Sequence, residues 1–435
     1  MTSPKTLRRA GYAPDTTSVG RRGQHTRERI LARAADLFVA HGYHDTSIES
    51  IAKAVGGSRA VIYQYFPSKV EIFNELVAAS EPAVLAHITS LDGLGPDERG
   101  IDALHRWLTG WATLYDRYAV VFAALPGVGT VENSAGSTAG VAPGRHTEII
   151  AATLARSGVH GMEPTDAAAA LLRICHMLNL ARFRAMFGLD NASGVPASLT
   201  AAMQRLLFPE TPAPVIARVA EPSPVRSSGA GTEDTMAAEW TTSEPDDAAV
   251  SPIRQDILSA ASVVFAERGY FAASVDDIAA AAEVSRATLY RHFRSKALIL
   301  DELSTWAAVE CAHLGADLRG SAQHADVDEL HSWLSRYVRY HRMYAGVIRA
   351  WYDGAISGLP SGPAIVASIN ELHRAAQSVF DAFTPPPSIR REVAAAIFLA
   401  VLGRLSEYAV AEYPSDNDYD AATFMLLVLQ RALLT

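Results

Sequence analysis

Cysteine is nearly missing from this chain: Cys175 and Cys311 are the only two in 435 residues. They stand far apart in apolar stretches. That argues against a disulfide framework and a cysteine zinc site, and it fits a reducing compartment, the cytoplasm. Long apolar runs are missing too. The longest, Val393 to Gly403, is well short of the ~18 residues of a membrane span, and it reads as a buried helix. No membrane partner is expected. The N-terminus has no apolar stretch of the kind a signal peptide carries. There is no glycine-rich phosphate loop, no Ser-His-Asp logic and no cluster at metal-ligand spacing. His160 and His176 lack the carboxylate or cysteine companions a metal needs. No enzymatic activity, cofactor or metal is expected.

Charge is also sparse. Charged residues are 20% of the chain and apolar ones 49%, a balance for folded cores rather than disorder. A net charge of −9 argues against a surface that coats nucleic acid at large, but it leaves room for local basic patches. One such patch is residues 1–25, read as a disordered basic arm with Lys5, Arg8, Arg9, Arg21 and Arg22.

What the chain does have, it has twice. Arg27–Leu76 lies on Arg254–Leu303 at a constant shift of 227, without a gap and with 21 identities in 50 positions. The twelve residues "SRAVIYQYFPSK" and "SRATLYRHFRSK" sit near the end of these blocks. The likeness resumes from His105 to Leu125 and His331 to Trp351, so the duplicated unit is about 200 residues. Between the copies, residues 209–250 hold six prolines and eight acids against two arginines, and read as a disordered acidic linker.

Each block reads as short helices with marked ends. Thr26 can cap the first helix, and Gly42 stops it. Ser47 caps the second and Ser58 the third, and Ser68 with Glu71 can box the fourth. In unit two the corresponding marks are Ser251-Pro252, Gly269, Ser274, Ser285 and Ser295. A break of three or four residues before a short third helix describes a helix-turn-helix. On that third helix Ile62 and Phe66, or Leu289 and Phe293, face inward. The other side carries Arg59, Val61, Tyr63, Gln64 and Tyr65 in unit one. In unit two it carries Arg286, Thr288, Tyr290, Arg291 and His292, with no acid. Such a face offers donors to base edges and cationic charge to phosphates. Gln64 suits adenine and Arg291 suits guanine. Ser47 and Ser274 open the second helices, where backbone N–H groups can hold a phosphate.

The stretches "ILARAADLFVAHGYHDTSIESIAKAVGGSRAVIYQYFPSKVEIF" and "ILSAASVVFAERGYFAASVDDIAAAAEVSRATLYRHFRSKALIL" closely resemble the heads of the TetR family of transcriptional regulators. The resemblance implies an all-α protein, two units each with a DNA-reading head and a helical-bundle body that binds a small ligand and dimerises. It implies heads at 26–79 and 251–304 and bodies at 80–208 and 305–435. It adds Thr46, Ser58, Ser285, Lys69 and Lys296 to the DNA contacts, with Tyr63, Tyr290 and both lysines on phosphates. It also implies a repressor released by ligand. Two departures are expected to weaken the turns: Gly57 lacks the side chain of Val284, and Glu283 stands at the usual turn glycine.

Family dimers set two heads about one helical turn apart, ~34–36 Å. Here one chain carries both, so an intramolecular pseudo-dimer on an asymmetric operator of double-stranded DNA is expected. Its interface would be Pro164–Phe187 and Ser198–Phe208 against Ile389–Val410 and Asp418–Leu434. The rival is a homodimer of the whole chain with four heads. In the bodies, Trp111, Tyr115, Tyr118 and Phe122 of unit one and Tyr337, Tyr340, Tyr344 and Trp351 of unit two recur at helical steps. They read either as core or as the wall of a cavity for a lipophilic or aromatic effector, with Asn179 and Arg182 as polar contacts. The alternative function is a ligand-binding or scaffold protein whose heads no longer read DNA.

Overall fold

The computed structural model describes residues 21–124, 143–189, 194–219, 251–321, 326–352, 354–355, 358–413 and 418–434. Among the described residues there is helix and no strand. The fold is all-α, built as two TetR-like units.

Head one is α1 (Arg21–His41), α2 (Ile48–Ala54) and α3 (Arg59–Tyr65), and α4 (Lys69–Thr89) runs from it into the body. The body adds α5 (Glu98–Arg117), α6 (Ala119–Ala124), α7 (Pro143–Arg156), α8 (Pro164–Phe183), α9 (Val195–Leu207) and the short α10 (Ala213–Ile216). Head two is α11 (Pro252–Arg268), α12 (Val275–Ala281) and α13 (Arg286–His292), with α14 (Lys296–Ser321) as its long exit. Body two adds α15 (Val327–Met343), α16 (Ala345–Tyr352), α17 (Gly362–Ala382) and α18 (Arg391–Ala400). A π turn (Val401–Leu405) then leads into α19 (Ser406–Glu412), and α20 (Tyr419–Leu433) ends the fold.

Three boundaries differ from the sequence reading. Thr26 does not cap α1 but lies inside it, because the helix starts at Arg21 and Gln24 donates to Glu28 one turn on at 3.2 Å. The fourth helices do not stop at the head: α4 runs on to Thr89 and α14 to Ser321, past the expected boundaries at 79 and 304, so one helix joins each head to its body. The first eleven residues of the supposed linker, 209–219, are also folded. Ile216 is buried on body one, and Arg218 pairs with Glu98 at 3.0 Å. Residues 220–250, and the arm up to residue 20, lie outside the described residues.

The heads repeat in their contacts as well as in their letters. Arg27 pairs with Glu75 and Arg254 with Glu302, tying the first helix of each head to its long exit helix. Each guanidinium also covers a core ring, Phe66 at 4.7 Å and Phe293 at 4.1 Å. The heads differ in how they join the rest. Head one has its own core of Ile30, Phe38, Ile51, Ile62 and Phe66. The core of head two, including Ile257, Phe265, Ile278 and Leu289, is continuous with both bodies. Between the heads, His44 and Phe271 occupy equivalent positions of the repeat and stack face to face, 3.4 Å and 6° apart.

The units meet through α8 and α9 of one and α18, the π turn and α20 of the other. These helices are buried along most of their length, because each is apolar on more than one side. Arg391–Glu412 is apolar and long enough to cross a membrane by composition, yet 78% of its apolar window is buried inside the protein. Polar groups cross the seam too. The buried Asp166 accepts hydrogen bonds from Tyr408 at 2.7 Å and Tyr413 at 2.6 Å. Arg431 donates to the carbonyls of His160 and Gly161 at 3.0 and 2.8 Å. Charge-assisted bonds of this kind are stronger than neutral ones and fix register along an apolar seam.

Candidate nucleic-acid interface

In each head the second helix is capped by the serine that opens it. Ser47 exchanges bonds with Ser50, and Ser274 with Asp277, two reciprocal capping boxes. The turn to the third helix then needs a left-handed residue. Gly56 supplies it at φ 71°; the equivalent Glu283 is held at φ 53°. That placement costs an L residue about 1–2 kcal/mol, the strain expected from its side chain. At Gly57 an added Cβ would meet Val55 and Val61 at 3.6–3.7 Å, ordinary contact, so the glycine leaves packing unused that Val284 makes in head two.

The third helices are anchored by Ile62 and Phe66, and by Leu289 and Phe293, all buried. That fixes what faces out. On α3 these are Arg59, Tyr63 and Gln64, with Val61 and Tyr65 half-buried. On α13 they are Arg286, Tyr290 and Arg291, with Thr288 and His292 half-buried. Neither helix carries an acid. Ser285 caps α13 through the Thr288 N–H, whereas Ser58 sits at the cap of α3 without a side-chain bond. Arg286 is paired with Asp276 at 3.0 Å. Both partners are exposed, so the pair is weak and a phosphate can replace the carboxylate.

Three expected DNA contacts turn inward instead. Lys69 donates to the carbonyls of Tyr43 (2.6 Å), His44 (3.1 Å) and Thr46 (2.8 Å), and its ammonium lies 4.4 Å from the Tyr43 ring. Lys296 does the same with Tyr270 and Ala273, both at 2.6 Å. An ammonium has three donors, and those of Lys69 are spent on the carbonyls left unpaired by the loop after α1. Burial pushes both ammonium groups below the usual lysine range, with nearby Asp45 and Asp277 opposing. Thr46 is buried and donates to the Gly42 carbonyl at 2.8 Å. These residues hold the turn that presents the second helix; in this conformation their side chains do not reach out.

The model for "Bacterial regulatory proteins, tetR family" matches residues 30–76 and 257–303, the two heads just described. Both heads are of the TetR family, set in tandem in one chain. Among curated relatives, the HTH-type transcriptional repressor DhaR of a Mycobacterium species is 48% identical over 46 residues, 11% of this chain and 23% of DhaR. The regulator AcrR of Shigella flexneri is 43% identical over 58 residues, 13% of this chain and 27% of AcrR. The repressor AcnR of Corynebacterium glutamicum is 30% identical over 86 residues, 20% and 45% of the two chains. The match thus covers less than half of each relative. Among solved structures, the TetR family regulator PfmR of Thermus thermophilus aligns at 25% identity and a TM-score of 0.31, over 40% of this chain and 97% of PfmR.

The two bodies behind these heads use their aromatic stripes differently. In unit one Trp111, Tyr115 and Phe122 pack on one another and on His176, with ring centroids 4.9–6.5 Å apart. Asn179 is buried and donates to the Cys175 carbonyl at 2.8 Å, and Arg182 pairs with Asp116 at 2.6 Å. Tyr118 packs against this core from its edge. The expected effector contacts of unit one are therefore core. In unit two Tyr337, Tyr340 and Trp351 line a cavity of about 240 Å³; Tyr344 packs behind Tyr340 at 5.3 Å.

That cavity is mechanically close to head two. Trp351 and Ile348 stand on α16, whose backbone lies directly on α11: a Cβ at Gly346 would come within 2.5 Å of Ala266 N and Ser262 O. Arg349 donates to the Ala266 carbonyl at 3.0 Å, and Trp351 Nε1 donates to Ser304 Oγ on α14 at 2.9 Å. Among the described residues no cluster of His, Cys, Asp or Glu could hold a metal.

Proposed function

We propose that the chain is a sequence-specific regulator of transcription, a ligand-responsive repressor whose two unlike heads read an asymmetric operator while one chain supplies both. The observation that carries this reading is the pair of exposed, acid-free third helices with different side chains at matching positions: Gln64 against Arg291, and Tyr65 against His292. Unlike faces select unlike half-sites. A seam buried between the units makes binding of the second head intramolecular, so occupancy does not depend on dimer concentration. The site of action is the cytoplasm, on double-stranded DNA. Backbone contact falls to Tyr63 and Tyr290, to Arg59 and Arg286, and to the N–H groups behind Ser47 and Ser274.

Release follows from linkage. A ligand lowers DNA affinity only if it binds the DNA-incompetent arrangement better. A molecule entering the cavity of unit two displaces Ile348 and Trp351, and so moves α16 against α11. Head two shares its core with the bodies and follows; head one, with a separate core, follows less.

The test is selection of duplexes from a random pool by the full chain. The expected product is a site of two dissimilar halves about one helical turn apart. A perfect palindrome, or no enrichment above non-specific binding at moderate salt, contradicts the reading.

A further inference from the structure

The cavity in unit two is closed by unit one. Tyr337, Tyr340, Trp351 and Leu402 line it from unit two; Met177, Ala181, Met186 and Phe187 line it from unit one. Met186 and Phe187 lie in the segment that leaves α8. There Ala185 and Phe187 both adopt left-handed backbone, φ 50° and 57°. Side-chain-bearing residues hold such angles at a cost, and they keep them where the surroundings over-determine them. Here the surroundings belong to the other unit: the Phe187 ring lies 4.7 Å from that of His373 on α17.

We propose that each chain binds one compact apolar or aromatic molecule in this composite cavity, with residues 184–187 of unit one as its lid, and that the ring-filled space of unit one binds none. This rests on the effector reading above and adds to it a stoichiometry, a closing element and a ligand class. The walls are almost wholly apolar. The buried Tyr340 hydroxyl has the Cys311 thiol beside it and no hydrogen-bond partner of ordinary geometry, so it can serve one polar group of the ligand. Arg184 at the rim disfavours a cation.

The same cavity reaches the seam between the units. Leu402 and Gly403 belong to the π turn, which packs on α8. Such turns recur at functional sites because the wider coil leaves room inside a helix. A Cβ at Gly403 would stand 2.3 Å from Tyr352 Oη, so the ring and the turn move together. One ligand thus touches the lid from unit one, the π turn at the seam and α16 above head two.

The probe is N-phenyl-1-naphthylamine, a neutral aromatic whose fluorescence rises in apolar sites, titrated into the full chain and chased by stopped flow. One probe per chain is expected. Ile369→Trp, which fills the cavity from a half-buried position, is expected to weaken binding at least tenfold. Met186→Trp, from the exposed rim, does the same should the first variant fold poorly. Phe187→Ala is expected to speed release about tenfold. Two probes per chain, or binding indifferent to both filling variants, overturns the single composite site. Release from Phe187→Ala at the parent rate overturns the lid, and no binding at all overturns the cavity as a ligand site. Operator affinity with the probe bound is a separate reading: unchanged affinity removes the effector role and leaves the composite site standing.

Discussion

Replacing Arg291 with alanine lowers operator affinity about 10- to 100-fold, with the loss confined to one half of the operator. Arg291 is exposed on the outer face of α13, and among the described residues no carboxylate pairs with it. Its neighbour Arg286 must first leave Asp276 to reach DNA. A bidentate arginine–guanine contact is worth about 1–3 kcal/mol of discrimination. Lost cleanly, that is one to two orders of magnitude. The backbone of α13 is fixed from beneath by Leu289 and Phe293, so removing an outward side chain leaves the fold alone. Fluorescence anisotropy at fixed salt gives the affinity, and a footprint gives the half-site. The slope of log K against log salt should change by about one at most, since one cation is lost. Gln64→Ala should do the reverse, weakening the other half. Equal loss at both halves, or no loss, would mean that α13 does not read a base.

Acid should destabilise the chain by about 4 kcal/mol between pH 7 and pH 5, through His176 and His341. Both rings are buried near the seam. Neither ring nitrogen of His176 has a hydrogen-bond partner, and Nδ1 of His341 has none. Burial, then the Arg404 and Arg184 guanidiniums, lowers His176 to about 3. Burial lowers His341 to about 4, with Glu407 opposing and Arg404 and Arg342 assisting. The folded state therefore keeps both neutral, while an unfolded histidine titrates near 6.5. Their stabilising effect is complete above that value. As pH falls below 6.5 the unfolded chain gains protons that the folded chain refuses, and stability drops until the folded values are reached. At pH 5 each histidine contributes a loss of about 2 kcal/mol relative to pH 7. Urea unfolding at the two pH values measures it. The double variant His176→Phe, His341→Phe should remove most of the difference; if it keeps the full acid loss, the destabilisation comes from elsewhere.

The heads are legible in the sequence because their signals are local. Ser47 and Ser274 cap the helices they precede, Gly42 and Gly269 both end their helices at positive φ, and the inward pair on each third helix is buried. The expectation that Lys69 and Lys296 grip phosphates rests on the family resemblance and not on any local signal. Their true partners are carbonyls about 25 residues upstream, which no periodicity reports. The recurrence of the same tyrosine and lysine in both copies, 26 residues apart, is the signal that could have found them. The bodies are legible only as helices. Ring stripes in both units follow the same spacing, and spacing does not reveal whether the rings meet one another, as around His176, or leave a gap. Least visible is Phe187, since its role comes from a neighbour in the other unit, His373.

The most direct test of the account is the mass of the particle on a footprinted operator. One chain of 46.6 kDa protecting two adjacent major grooves, with a midpoint that does not move on dilution, is the predicted result. Two chains on one such operator, each contributing a single head, would contradict it.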